Sequence, residues 1–166
     1  MAIKDALLPE FDHEMGTTRR VLERTPADKL AWKPHEKSMS LGHLAAHVAN
    51  IPHWMGAILQ NTVFDIATAG EDARPRMPES VAWVLGDFDA KVKAARAGVA
   101  STGDADMLTP WTFKSGGHEV FTMPRIAAIR SFVMNHSIHH RGQLSVYLRL
   151  NNVAVPPMYG PTADEQ

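Results

Sequence analysis

The sequence predicts an all-α fold, a four-helix bundle with an irregular crossover before the last helix. Apolar residues recur at helical spacing in four long segments, and capping residues or prolines stand at the ends of those segments. The chain has 166 residues, of which 45% are hydrophobic, so a single domain over residues 1–166 can bury a sizeable core.

The first two helices are predicted within the first 60 residues. The first extends over about residues 3–24, where leucine, phenylalanine and methionine recur at helical spacing. A turn-rich connector follows, and the second helix begins at a serine cap, Ser38 or Ser40, and continues to about residue 60. Pro52 lies inside this helix and should kink it, because proline has no backbone N–H to donate.

The other two helices are separated by the irregular crossover. A charged, proline-rich loop over residues 70–78 precedes the third helix, which is predicted to end near residue 100. The crossover is rich in glycine, proline and threonine, and its Gly116-Gly117 pair predicts a small hairpin or loop. The fourth helix begins at Pro124, because proline is favoured in the first turn of a helix, and ends near residue 151.

Composition excludes several classes of function. The formal net charge is −1 and lysine and arginine form no stripe, so we expect no nucleic-acid partner. No apolar run approaches the length of about 18 residues that a membrane span needs, and no signal peptide is evident, so we expect a cytoplasmic protein with no membrane partner. The chain has no cysteine, so histidine, carboxylates and water are the available metal ligands, and a reactive thiol must come from a substrate.

Histidines form the most informative pattern in the sequence. His136 and His140 are four residues apart in the predicted fourth helix, so they project from one face and can act as a pair of metal ligands. Their direction lies close to the centre of the apolar face, whereas His139 falls at its edge. In the second helix His47 lies nearer the apolar centre than His43, so we expect His47 as the third ligand, with His43 as the alternative. Core histidines satisfied by hydrogen bonds alone are the competing interpretation.

The residues that follow the histidine pair differ in their predicted direction. Gln143 shares the face of His136, so its amide is a candidate to orient an imidazole, or is a buried polar group paired with the backbone. Tyr147 also lies on the inward face and could offer its hydroxyl to a ligand. Arg141 is predicted to point toward solvent or a partner chain, where a structural salt bridge is its expected role.

Five segments of the chain carry motifs of one known family. They are residues 31–34 (AWKP), 40–49 (SLGHLAAHVA), 136–143 (HSIHHRGQ), 147–149 (YLR) and 155–160 (VPPMYG). Together they resemble the DinB/YfiT-like superfamily over nearly the whole chain. The histidine-rich motif of residues 136–143 is the most specific part of the resemblance.

The resemblance implies a four-helix bundle that holds one divalent metal ion per chain between three histidines. The family's ligand in its second helix matches His47, and the pair in its fourth helix matches His136 and His140. Characterised relatives are metal-dependent thiol transferases and isomerases that use bacillithiol, mycothiol or glutathione. The family also suggests a homodimer. Zinc or nickel is the expected ion, although imidazole ligands also suit iron and copper.

The leading functional hypothesis is a metal-dependent transferase that activates a low-molecular-weight thiol. Three neutral imidazoles leave the charge of a divalent ion uncompensated, so its remaining positions are open to water or an anionic small-molecule substrate. The alternatives are a hydrolase that uses metal-bound hydroxide and a bundle that binds metal or ligand without turnover. A hydrolase needs a carboxylate base, and none flanks the histidines on the helix faces, although Glu119 or Asp106 in the crossover could reach them. The sequence assigns no individual catalytic residue.

Overall fold

Four helical columns form the body of the protein; a 3₁₀ turn interrupts the second, and a π-helical segment lies within the fourth. The computed structural model describes residues 2–70 and 76–166, so the loop expected at residues 70–78 lies mostly outside the described residues. In chain order the α-helices are α1 (Ile3–Glu23), α2 (Leu41–Asn50), α3 (Trp54–Gln60), α4 (Val81–Ser101), α5 (Asp104–Met107), α6 (Arg125–Ala128) and α7 (His136–Leu150).

The helix boundaries follow local signals in the sequence. α2 begins after Ser40, whose Oγ accepts a hydrogen bond of 3.2 Å from the backbone N–H of His43, and Ser80 caps α4 in the same way. The 3₁₀ turn Ile51–His53 separates α2 from α3, so regular α-helix is interrupted at Pro52, where a kink was predicted. The second column therefore consists of two α-helices joined by this turn.

A small three-stranded sheet corrects the prediction of an all-α fold. β1 (Val63–Asp65) pairs in parallel with β2 (Pro110–Ser115), which pairs in antiparallel fashion with β3 (His118–Pro124). The expected hairpin at Gly116-Gly117 is confirmed. Both glycines have positive φ, 61° and 82°, which side chains other than glycine adopt reluctantly. The predicted crossover therefore contains ordered β structure and joins the segment after α3 to the segment before α6.

Asp65 connects β1 to the turn of the hairpin through hydrogen bonds. Its carboxylate accepts hydrogen bonds from the backbone N–H groups of Ala67 at 2.9 Å, Gly116 at 2.9 Å and Gly117 at 2.6 Å. These hydrogen bonds lower the pKa of Asp65, and the bond from Ala67 has the largest effect.

We expect Asp65→Ala to increase the amide hydrogen exchange rates of Ala67, Gly116 and Gly117, because their N–H groups lose their acceptor. Hydrogen exchange measures this, with Asp28→Ala at an exposed position as the control, and unchanged exchange would contradict it.

The fourth column is one continuous run of helix with a π-helical middle. α6 follows Pro124, α7 begins at His136, and Ile129–Asn135 between them is π-helical. A π-helical turn holds more residues than an α-helical turn, so side chains after it are rotated relative to those before it. The predicted bounds of the fourth helix are confirmed, but its regular α-helical geometry was a wrong expectation.

The rotation changes which face of α7 is buried. The buried residues of α7 are Ser137, Arg141, Leu144 and Leu148. His136 and His140 lie beside this face and are half-buried. The prediction that they lie near its centre was therefore wrong by roughly one residue, or about 100°. Ile129, Phe132 and Val133 lie within the π-helical segment, so projecting them with α7 onto one regular α-helix places the apolar face wrongly.

Arg141 is the charged residue of the buried face and is 1% exposed. Its Nη2 lies 2.7 Å from Oε2 of Glu14 in α1, and its Nη1 donates to the backbone carbonyl of Glu14 at 3.0 Å and to Oγ1 of Thr18 at 3.2 Å. Nη2 also donates to the hydroxyl of Tyr159, which in turn donates to the carboxylate of Glu14. The expected salt bridge is confirmed. The expected direction toward solvent or a partner chain was wrong, because α1 and the C-terminal segment cover this side of α7.

The helices of the described residues, 2–70 and 76–166, include none with the length and apolar character that a membrane span requires.

Candidate metal centre

Three imidazoles from two helices meet where α2 packs against α7. His47 comes from α2, His136 and His140 come from the start of α7, and all three are half-buried. The Nε2 atoms of His47 and His136 are 3.1 Å apart. The ring centroids are separated by 5.0 Å for His47 and His136, 4.4 Å for His47 and His140, and 4.7 Å for His136 and His140. One nitrogen from each ring lies within 4.8 Å of the others, so the group could hold a metal ion.

Two of the imidazoles are oriented by contacts at their second nitrogen. Nδ1 of His136 lies 3.3 Å from the backbone carbonyl oxygen of Phe132, and Nδ1 of His140 lies 2.7 Å from Oε1 of Gln143. Because both partner atoms are acceptors, Nδ1 carries the proton and donates in each ring, which leaves Nε2 with a free lone pair. Histidines that bind metals commonly have such a partner at the other nitrogen.

The spacing of the nitrogens fits a shared ion. Two nitrogens that bind zinc at about 2.0–2.1 Å in tetrahedral geometry lie roughly 3.3 Å from each other, close to the 3.1 Å between His47 and His136. Without an ion, the same distance suits a hydrogen bond donated by Nε2 of His47 to Nε2 of His136. The donor set, three neutral imidazoles, suits zinc, nickel, iron or copper and does not distinguish between them.

Burial favours the neutral form of these imidazoles. Burial first, and then the proximity of His140 and His136, lowers the pKa of His47 from 6.5 to about 4. The pKa of His136 is lowered by burial and then by His140, and the pKa of His140 is lowered by burial against the opposing effect of its hydrogen bond to Gln143. At neutral pH each imidazole therefore lacks the second proton, whose binding would compete with a metal ion.

The metal-free protein is expected to lose stability as the pH falls from about 6.5 toward 4. The unfolded chain binds a proton at each histidine near the ordinary pKa of about 6.5, whereas the folded protein binds these protons only at lower pH. Between the two values the unfolded state binds more protons, so protonation favours unfolding. Urea unfolding at a series of pH values measures this dependence. His47→Phe removes the group whose shift to about 4 is large and should reduce the slope. An unchanged slope would assign the pH dependence to other groups.

The other histidines lie outside the group. His43 is exposed and its Nδ1 is 3.5 Å from Oγ of Ser40. His139 is also exposed, although its ring centroid is 4.7 Å from that of His140. The remaining histidines share an exposed position, as expected for surface or loop residues: His13, His35, His53 and His118. Of His47 and His43, the two candidates in α2, the structure brings His47 to the pair in α7.

Tyr147 has a different partner from the one considered in the sequence. Its hydroxyl donates to the backbone carbonyl of Met39 at 3.3 Å, and its ring packs edge-on against Trp32 with the centroids 5.5 Å apart. A contact between this hydroxyl and a bound ligand stays a prediction.

Carboxylates do not join the histidines within the part of the chain that the structure describes. Glu119 in β3 is exposed and its Oε1 accepts a hydrogen bond from Oγ1 of Thr122. Asp106 in α5 is exposed as well, and its backbone carbonyl accepts a hydrogen bond from Arg125. Neither of the two candidate bases from the crossover contributes to the three-histidine group.

Sequence reasoning missed two aromatic residues near the group. Phe132 precedes His136 by four residues and supplies the carbonyl that orients it, and Trp54 follows His47 by seven residues. Their rings are 5.8 Å apart. The spacings of four and seven residues are visible in the sequence, but helical periodicity alone does not separate an aromatic residue that borders a site from one that fills the core.

Comparisons with known proteins agree with this architecture. The model of the DinB family matches residues 1–166. The uncharacterized protein YrdA of Bacillus subtilis (strain 168) is 26% identical over 165 residues, which cover 97% of this chain and 90% of YrdA. A DinB-like protein from Bacillus cereus ATCC 10987 has a similar crystal structure, with a TM-score of 0.72, 22% identity, and coverage of 95% of this chain and 98% of that chain. The DinB-like protein YjoA of Bacillus subtilis gives a TM-score of 0.70, 18% identity, and coverage of 95% and 99%.

Proposed function

The chain belongs to the DinB family, and from that premise we propose that it binds one divalent metal ion at His47, His136 and His140 and transfers a low-molecular-weight thiol. The observation that carries this proposal is the convergence of three imidazole nitrogens within 4.8 Å. Zinc and nickel are the ions that we propose first, because both bind imidazole well.

The residues of the site prepare it for this role. The bundle keeps the three imidazoles neutral by burial, and Gln143 and the carbonyl of Phe132 fix the orientation of two of them. A divalent ion in this group would act as a Lewis acid that lowers the pKa of a bound thiol or water. Because the chain has no cysteine, the thiol must be a substrate. The imidazoles are half-buried, so part of their surface is accessible to such a substrate.

A hydrolase is the second candidate function. It would use a water molecule activated at the same site, for which a nearby carboxylate is the usual base. Among residues 2–70 and 76–166, no carboxylate joins the histidine group within 4.8 Å, so such a base would have to act from a greater distance. A bundle that binds metal without turnover is the third candidate.

An activity screen with matched variants tests the proposal. Protein stripped of metal is reloaded with zinc or nickel and supplied with bacillithiol, mycothiol or glutathione and an aryl halide as acceptor. We expect thioether formation by the loaded protein, none by the stripped protein, and none by His140→Ala. Gln143→Leu should lower activity or metal affinity by about 10- to 100-fold, because it leaves Nδ1 of His140 without its acceptor.

The control is His139→Ala, which removes an exposed histidine adjacent to His140 but outside the group. It should retain activity. Hydrolysis of activated esters without any thiol would favour the hydrolase instead. Full metal loading with neither reaction would favour the binding protein without turnover.

A further inference from the structure

We propose that the substrate of the three-histidine site carries an aromatic or other planar apolar group that binds against five aromatic side chains beside the histidines. We name these side chains the aromatic wall, and they are Trp54, Phe64, Phe113, Phe121 and Phe132. The inference rests on the proposed function, because it assigns a substrate class to the same site.

The aromatic wall begins on the two elements that carry the histidines. Phe132 precedes His136 by four residues within the π-helical segment, and Trp54 follows His47 by seven residues across the 3₁₀ turn Ile51–His53. α2 packs against α7, and α3 packs against the π-helical segment, so the two interfaces follow one another along the bundle. The ring centroids of Trp54 and Phe132 are 5.8 Å apart. The backbone carbonyl oxygen of Phe132 lies 3.3 Å from Nδ1 of His136, so this aromatic pair includes the residue that orients one of the histidines.

The sheet extends this aromatic pair. Phe64, Phe113 and Phe121 are partners in register across β1, β2 and β3, so they share one face of the sheet. Trp54 lies 5.2 Å from Phe64 between ring centroids, and Phe132 lies 5.2 Å from both Phe113 and Phe121. Charged Lys114 follows Phe113 in β2, and by strand alternation it belongs to the opposite face.

Exposure distinguishes the aromatic wall from ordinary core. Trp111, which neighbours Phe113, Phe121 and Phe132, is 0% exposed, as expected for an aromatic residue that only fills the core. The five residues of the aromatic wall pack against the core but are all half-buried, so each keeps part of its surface accessible to solvent. Apolar and aromatic lining with a few convergent polar groups is typical of small-molecule sites.

The site would then bind two different parts of one substrate. The donor atom of the substrate binds at the histidines, and an aromatic group beside it stacks against Trp54 and Phe132 in offset or edge-on geometry. A substrate with a small alkyl group in the same place leaves the exposed aromatic surface uncovered. The expected preference is therefore for planar apolar groups over methyl groups at equal metal-binding strength.

A pair of metal-coordinating probes tests this preference. Acetohydroxamate and benzohydroxamate share the hydroxamate and differ in a methyl and a phenyl group. Zinc-loaded protein is titrated with each by calorimetry, after metal analysis has established the zinc content. We expect benzohydroxamate to bind at least about tenfold more tightly. Trp54→Ala and Phe132→Ala should reduce this ratio to within about threefold.

Matched variants separate this effect from a change in folding. Trp83→Ala removes an aromatic side chain that is 37% exposed on α4, outside the aromatic wall, and should keep the wild-type ratio. Phe132→Leu keeps an apolar side chain of similar size and should give an intermediate ratio, so it serves if the alanine variants fail to fold.

The outcomes distinguish the inference from the function on which it rests. Failure of the wild-type protein to bind zinc would overturn the proposed function, and the inference with it. Full zinc loading with equal affinities for the two probes would overturn the inference alone. Light scattering on the same samples would also overturn it if the wild-type protein were a dimer and Phe132→Leu a monomer, because the aromatic wall would then be covered by a second copy.

Discussion

Loading the metal-free protein with zinc is expected to raise its melting temperature by about 10 °C when free zinc exceeds Kd a thousandfold. Binding to the folded state alone adds RT ln(1 + [L]/Kd) to the free energy of unfolding, about 4 kcal/mol at that excess, and each 1 kcal/mol is worth roughly 2–4 °C in a domain of this size. The ion would join His47 and His136, which are 89 residues apart in the chain, so only the folded protein presents the site. Thermal unfolding with and without chelator measures the shift, and elemental analysis should give about one ion per chain.

Single variants decide which residues hold the ion. His47→Ala, His136→Ala and His140→Ala should each lose most of the shift caused by zinc. His43→Ala is the matched control, since His43 lies one turn before His47 in α2 but is exposed and outside the group. An equal loss in His43→Ala, or a full shift in all of these variants, would contradict the assignment.

Arg141→Met is expected to lower the free energy of unfolding by about 3–5 kcal/mol, the usual cost of removing one partner of a buried ion pair. Arg141 is 1% exposed and Glu14 is 6% exposed, so the variant leaves a buried carboxylate with the hydroxyl of Tyr159 as its remaining side-chain partner. Urea unfolding at pH 7 measures the loss.

The double variant Glu14→Met with Arg141→Met separates the cost of an unpaired charge from the value of the pair. Replacing both partners by apolar residues removes the buried charge, so we expect the double variant to recover much of the stability that the single variant loses. Arg96→Met, which breaks an exposed pair with Asp12, should have a much smaller effect. A double variant no more stable than Arg141→Met would mean that the pair itself, and not the unpaired charge, carries the stability.

Local signals in the sequence were sufficient to predict where the long helices begin and end. The cap at Ser40, the interruption at Pro52 and the helix start after Pro124 each depend on groups within a few residues, so their effects can be predicted without the fold. The spacing of His136 and His140 is of the same kind. An α-helix places residues four apart on neighbouring turns of one side.

Long-range contacts could not be predicted in this way. β1 has three residues, too few for a clear alternation of apolar and polar side chains, and Asp65 within it binds the amide of Gly117, 52 residues away. The burial of Arg141 depends on Glu14 in α1 and on Tyr159, beyond the end of α7. The sequence shows the charge of Arg141, whereas its environment follows from the packing of distant segments.

Because of the π-helical segment Ile129–Asn135, the number of residues before His136 determines the direction in which His136 and His140 project. A deletion of one residue that restored regular α-helix would rotate α7 relative to α6 by roughly 100°. α6 is held by β3 and α5, whereas α7 is held by α1 and by the C-terminal segment through Arg141, so neither end is free to absorb the rotation. His136 and His140 would turn away from His47. In an evolving lineage, the gain or loss of a single codon in this segment would therefore separate His136 and His140 from His47 in one event.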